Sequence, residues 1–220
     1  MRLITGLLVL ASFAVAADKD GVRRIDEAAA ILSEVIGTDK GIPQDLLDHA
    51  HCAVVVPSLK KGAFVVGAQY GKGFLTCRKA GGGWSAPVAM RVEGGSVGFQ
   101  IGGSETEVVM LVMNPRAVDK LLSSKFTLGG EGEVAAGPVG RTATAETDLK
   151  MRAEILSWSR SRGVFAGISL KGATLRPDDD ENMDLYGKKL DAREILNAPA
   201  PAAASRFLAV LNKYSPTEKK

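Results

Sequence analysis

The chain has 220 residues and a nearly balanced charge, with 28 Lys and Arg against 25 Asp and Glu, for a net +3. With 45% hydrophobic residues it is long enough to bury one sizeable core, and it does not require a second domain. Two cysteines exclude a disulfide-dense mini-domain, and the small net charge gives no reason to expect nucleic acid as a partner.

Arg2 is followed by the apolar run "LITGLLVLASFAVAA" and then by Asp18, Lys19 and Asp20. A basic start, a short apolar stretch and the small residues Val15 and Ala17 read as a cleavable export signal over residues 1–17. The mature chain is then expected to begin near Asp18, in a secreted or periplasmic location peripheral to a membrane. An uncleaved anchor is the alternative. No Cys precedes Cys52, so lipid attachment at the N-terminus is not expected.

"DGVRRIDEAAAILSEVIG" carries Val22, Ile25, Ala29, Leu32 and Ile36 at helical spacing and predicts an amphipathic helix ended by Gly37. A shorter helix is expected in "PQDLLDHA", with Pro43 in its first turn. After His51 the period changes to short Val-rich and aromatic runs separated by Gly, Lys and Ser turns. "NPRAVDKLLSS" reads as a helix capped by Asn114, more strands follow, and the acidic "DDDEN" reads as a solvated turn. "DAREILN" predicts a short helix, residues 198–220 an Ala/Pro linker with a last helix, and residues 18–197 the domain proper. The fold class is α+β: a strongly bent, barrel-like antiparallel sheet flanked by N-terminal and C-terminal helices.

Between His49 and Val92 the chain carries Lys60, Lys61, Lys72, Arg78, Lys79 and Arg91 and no acid. Such segregation suggests an anion-facing surface, and these residues are the candidate lipid contacts; edge-strand protection is the other reading. Cys52 and Cys77 form a disulfide or remain buried thiols, and both readings are open.

Catalytic motifs are weak. "GGSVG" resembles a nucleophile elbow at Ser96, but no helix is expected after it and both histidines precede it. "GAQYGKG" lacks the length and the final Ser or Thr of a phosphate loop. His49, His51 and Cys52 have no second cluster with which to hold a metal, and the acids from Asp178 to Glu181 lack the Gly and closing Glu of a calcium loop. No cofactor and no enzymatic activity are expected.

"IPQDLLDHAHCAVVVPSLKKGAFVVGAQYGKGFLTCR", "GGGWSAPVAMRVEGGSVGFQIGG", "VAAGPVGR", "SWSRSRGVFAGISLKGATL" and "DLYG", in this order, resemble the SYLF domain family, also called the Ysc-type actin-binding domain. The likeness runs from about Asp18 to Asn197. It implies a non-enzymatic domain: eukaryotic members bind phosphoinositide-containing membranes and some bind actin filaments, and secreted bacterial relatives look lipid-associated. The motif residues are Trp84, Ser85, Pro87, Trp158, Gly163, Phe165 and Gly167. Trp158 stands where the family usually has Tyr, and the acids Asp18, Asp20, Asp26 and Glu27 outweigh Arg23 and Arg24 where the family is often basic. Trp84, set among glycines, reads as a folded-back structural anchor, because exposure would forfeit the burial that makes the ring useful. The expected function is association with anionic phospholipid; the alternative is a protein-binding module with an envelope or extracellular partner.

Overall fold

The computed structural model describes residues 19–36, 38, 41–64, 66–97, 102–122, 125–130, 134–138, 153–161, 164–167, 170 and 172–218. The expected export signal, Gly37 and Gly163 lie outside them. The chain is α+β, a curled half-barrel sheet with helices at both ends.

Helix α1 spans Lys19–Ile36 and buries Ile25, Ala28, Ala29, Leu32 and Val35, the face expected from the spacing of its apolar residues. Helix α2, Gln44–His49, follows Pro43. Strands β1 (Cys52–Phe64), β2 (Val66–Cys77), β3 (Val88–Val97) and β4 (Gly102–Val112) then form the long centre of the sheet. Helix α3 is Pro115–Leu121, with the Asn114 side chain accepting from the Arg116 amide. Shorter strands follow: β5 (Phe126–Thr127), β6 (Val134–Ala136), β7 (Ile155–Ser161), β8 (Val164–Gly167) and β9 (Thr174–Pro177). The sheet order is β5-β9-β3-β2-β1-β4-β7-β6, with β8 beside β7. The pairing is antiparallel except between β6 and β7, which run parallel, a departure from the purely antiparallel expectation. In sequence these two strands are separated by residues 137–154, long enough for the connection that parallel neighbours require.

Register explains the two cores. Residues directly opposite one another point to one face, so Thr76, Ala53, Leu111 and Leu156 form one row and Ala89, Phe74, Val55, Val109 and Trp158 the next. Nearly all of these residues pack in the cluster that contains α1, α2 and the last helix. The opposite face carries Val88, Leu75, Val54 and Met110, with Cys77, Cys52, Val112 and Ile155 one row on. Ala117 and Leu121 of α3 cover that side together with Phe126. Both registers of β1 shift between Val55 and Leu59, the bulge at which the sheet bends. Gly73 sits against it: a Cβ there would lie 2.1 Å from the Val55 carbonyl oxygen, so only glycine admits the approach.

Two sequence expectations need correction. The acidic stretch is not a solvated turn but helix α4, Asp179–Tyr186, capped by Asp178 and ended at Gly187 in the left-handed region. Nor is the C-terminus an appendage after a linker. Helix α5 (Ala192–Asn197) leads through a 3-10 turn at Ala202–Ala204 to helix α6 (Ser205–Tyr214), whose Phe207 and Leu211 are fully buried in the α1 core. The Phe207 ring meets Phe74 with centroids 6.4 Å apart. The last helix therefore belongs to the domain.

Candidate functional site

The six basic residues of the acid-free stretch do not share a surface. Lys72 is drawn inward: its ammonium lies 2.9 Å from Asp178 and 3.2 Å from Glu181, both carboxylates nearly inaccessible. Arg24 of α1 pairs with the same Glu181, and Arg91 reaches Asp178 at 4.0 Å and Glu93 at 3.2 Å. Arg176 completes the group with two bonds to Glu93, at 3.0 and 3.1 Å. The cluster ties α1, β2, β3, β9 and α4 together. Burial works against the charge of Lys72, yet the Asp178 and Glu181 carboxylates outweigh it and raise its pKa. Burial likewise opposes the Asp178 charge, and the bond from Lys72 with the nearby Arg91 reverses that, holding its carboxyl below the usual range.

Arg78 is also consumed internally. Its guanidinium donates to the carbonyls of Ala50 (3.1 Å), Leu47 (2.9 Å) and Ser215 (2.7 Å), and it lies over the Trp84 ring, 4.2 Å from the centroid. Burial lowers its pKa, against the fields of Asp48 and Glu218. Trp84 is 3% exposed and donates from Nε1 to the Ser215 carbonyl at 2.9 Å. The glycines before it make the turn: Gly82 and Gly83 have φ of 88° and 74°, and the Gly83 amide donates to Pro216. Ser85 accepts the Cys77 amide, and Pro87 accepts the Tyr186 hydroxyl at 2.7 Å. Burial pushes the Tyr186 phenol well above its ordinary value.

Cys52 and Cys77 are register partners on β1 and β2, with Cα atoms 4.0 Å apart and sulfurs at 2.07 Å. Trp158 is buried and donates to the Pro138 carbonyl at 2.8 Å, and Gly167 is its partner on β8. Phe165 pairs with Arg160.

Three of the six remain outward. Lys60, Lys61 and Lys79 have no ion pair among the described residues. They are not neighbours: Lys79 follows Cys77 at the disulfide end, whereas Lys60 lies eight residues beyond Cys52 along β1, roughly 26 Å away. Lys79 also shares its cleft with Asp119 and Glu218. A six-residue anion-binding surface is therefore not formed, because three of its members are the counter-charges and donors that hold the fold. Sequence reading missed Tyr70, 45% exposed and directly opposite Lys60. Its signal was its place in a strand pattern, on the same side as Lys72 and Phe74.

The weak catalytic motifs fall in regular structure. Ser96 is within β3, and the glycines at 67, 71 and 73 are within β2. His49 bonds the Asp45 carbonyl while His51 faces Glu218, and no group of metal-ligating side chains occurs among the described residues.

An α+β domain with a curled sheet packed on both faces, in which half of the basic-stretch residues are spent on internal ties, is the class that this geometry defines. A family model described as Ysc84, Las17-binding protein actin regulator, matches residues 93–214, and the chain belongs to that family. SH3 domain-containing YSC84-like protein 1 of Rattus norvegicus is 36% identical over 202 residues, 88% of this chain and 58% of that protein. The Homo sapiens protein of that name is 34% identical over the same length. LAS seventeen-binding protein 3 of Saccharomyces cerevisiae is 33% identical over 181 residues, 80% of this chain and 39% of its own. The chain thus spans little more than half the length of these relatives at most.

Proposed function

We propose that this chain is a non-enzymatic protein-binding domain, with actin or an actin-regulating protein as the partner chemistry. The observation that carries the reading is similarity over most of the chain to a YSC84-like protein and to a LAS seventeen-binding protein, together with a match to a family described as Las17-binding protein actin regulator. The structure adds a reason to prefer it to the anionic-lipid surface expected from charge segregation, since Lys72, Arg78 and Arg91 are not available to a ligand. The chemistry of the domain is then contact, with no bond made or broken.

Export remains part of the proposal. The apolar run before Asp18 and a cross-strand cysteine pair at bonding distance both favour an oxidising compartment outside the cytosol. In that compartment the partner is an extracellular or envelope protein, and filamentous actin serves as the probe of the binding chemistry that the family description names. Co-sedimentation with filamentous actin tests the partner: saturable pelleting supports it, and pelleting no greater than a filament-free control removes actin from the reading.

A further inference from the structure

The residues that follow α6 lie on the body of the domain as a bound peptide would. Three consecutive backbone carbonyls are taken by donors from other segments: Tyr214 by the Gln44 side-chain amide at 2.7 Å, Ser215 by Arg78 and Trp84, and Pro216 by the Gly83 amide at 2.8 Å. The next contact is made by a side chain. Glu218 places Oε1 3.2 Å from His51 Nδ1.

That carboxylate lines a cleft of about 390 Å³ together with His51, Arg78, Lys79 and, from α3, Val118 and Asp119. The acid on α3 is already answered, since Asp119 accepts from Arg193 at 3.0 Å. The bases are not. Arg78 spends its donors on neutral carbonyls and the Ser215 hydroxyl, and neither it nor Lys79 makes an ion pair among the described residues. A half-buried guanidinium with no carboxylate in contact leaves a positive field in the space beside it. Burial works against the Arg78 charge, and the fields of Asp48 and Glu218 support it, so Glu218 is one of the acids that this field already draws.

We propose that this cleft binds a carboxylate side chain of an extended acidic peptide, and that Glu218 occupies it in cis as a displaceable plug. A partner's Asp or Glu takes the place of Glu218 against His51, in the field of Arg78 and within reach of Lys79. A peptide fits better than a small free acid, because the present occupant arrives on an extended backbone and the cleft holds far more than one carboxylate. The tail can yield at this point without unlatching the fold: Glu218 is exposed, whereas Ser215, which carries the bonds to Arg78 and Trp84, is fully buried. The site goes beyond the proposed actin contact and does not rest on it.

The test follows the fluorescence anisotropy of a labelled peptide of alternating Glu and Gly, titrated with the full chain at low ionic strength, beside the same peptide with Gln for Glu. Glu218→Gln is expected to bind the Glu peptide about tenfold more tightly than the unaltered chain does, because no carboxylate has to be displaced. Its melting temperature should not change, since the carbonyls of Tyr214, Ser215 and Pro216 keep their donors. Adding Lys79→Glu to Glu218→Gln should weaken binding by about tenfold or more, whereas adding Lys60→Glu with Lys61→Glu, remote from the cleft, should leave it intact. Lys79→Glu also separates this site from the actin reading, because it should abolish peptide binding and spare pelleting with filaments. No saturable binding, equal affinity of the Glu218→Gln and unaltered chains, equal binding of the Gln peptide, full displacement by free glutamate at the same carboxylate concentration, or loss of affinity on reversing Lys60 and Lys61 would overturn the proposal.

Discussion

The Arg78 guanidinium lies over the Trp84 ring at 4.2 Å, and both side chains donate to one acceptor, the Ser215 carbonyl. The end of β2 and the glycine turn that follows it meet there the residues after α6, more than a hundred positions later. Trp84→Ala should cost about 3 to 5 kcal/mol through the cavity and the lost bond. Arg78→Lys should cost about 1 to 3 kcal/mol, since an ammonium cannot serve the same fork of carbonyls. Urea denaturation measures both, and a change under about 0.5 kcal/mol for Trp84→Ala would show that the ring is not an anchor.

The same latch makes the C-terminal helix part of the folding unit. A chain ended after Asn197 loses Phe207, Leu211 and the Ser215 acceptor together, and exposes the α1 face that they cover. Circular dichroism of that truncation should show no cooperative transition. A melt like that of the full chain would restore the shorter domain boundary.

Joining Cys52 to Cys77 closes a separation of 25 residues, which restricts the unfolded chain. Replacing both with Ala should lower stability by about 3 kcal/mol and leave the β1–β2 pairing in place. Thiol titration of unreduced, denatured protein is the direct check, and two free thiols would contradict the pairing.

The buried ion cluster sets the response to pH. The Asp178 carboxyl is held below its unfolded value of about 3.9, so its contribution is complete above that pH and disappears as pH falls through the folded pKa. Lys72 is raised, so its contribution is complete below about pH 10 and disappears as pH rises through its folded pKa. Tyr186, raised by burial, loses its contribution over the same alkaline limb. Asp178→Asn should remove about 3 to 5 kcal/mol at neutral pH, because Lys72 and Arg91 lose a buried counter-charge, and should flatten the acid limb. An acid limb identical to that of the unaltered chain would place the titrating group elsewhere.

How much of this was legible depends on where each partner lies in the chain. Helix α1 and the strand runs are local patterns, and the sequence carries them openly. The burial of Asp178 is not local: its counter-charge Lys72 is on β2, more than a hundred residues earlier, so acidity alone suggested solvent. A local cue to the helix did exist, with Asp178 as cap and Gly187 as stop. The basic stretch misled for the same reason, since an acid-free segment borrows its acids from α4. For the last helix, Phe207 and Leu211 showed an apolar stripe, but the Ala/Pro run before it gave no sign that the chain turns back onto α1.

The central claim is that this domain works by binding protein in the manner of its family, and saturation pelleting with filamentous actin tests it most directly. The predicted result is pelleting that rises to a fixed ratio of chain to actin and survives Lys79→Glu, a change at the disulfide end that leaves the fold intact. Pelleting that never exceeds the filament-free control, at any concentration of folded chain, would contradict actin as the partner.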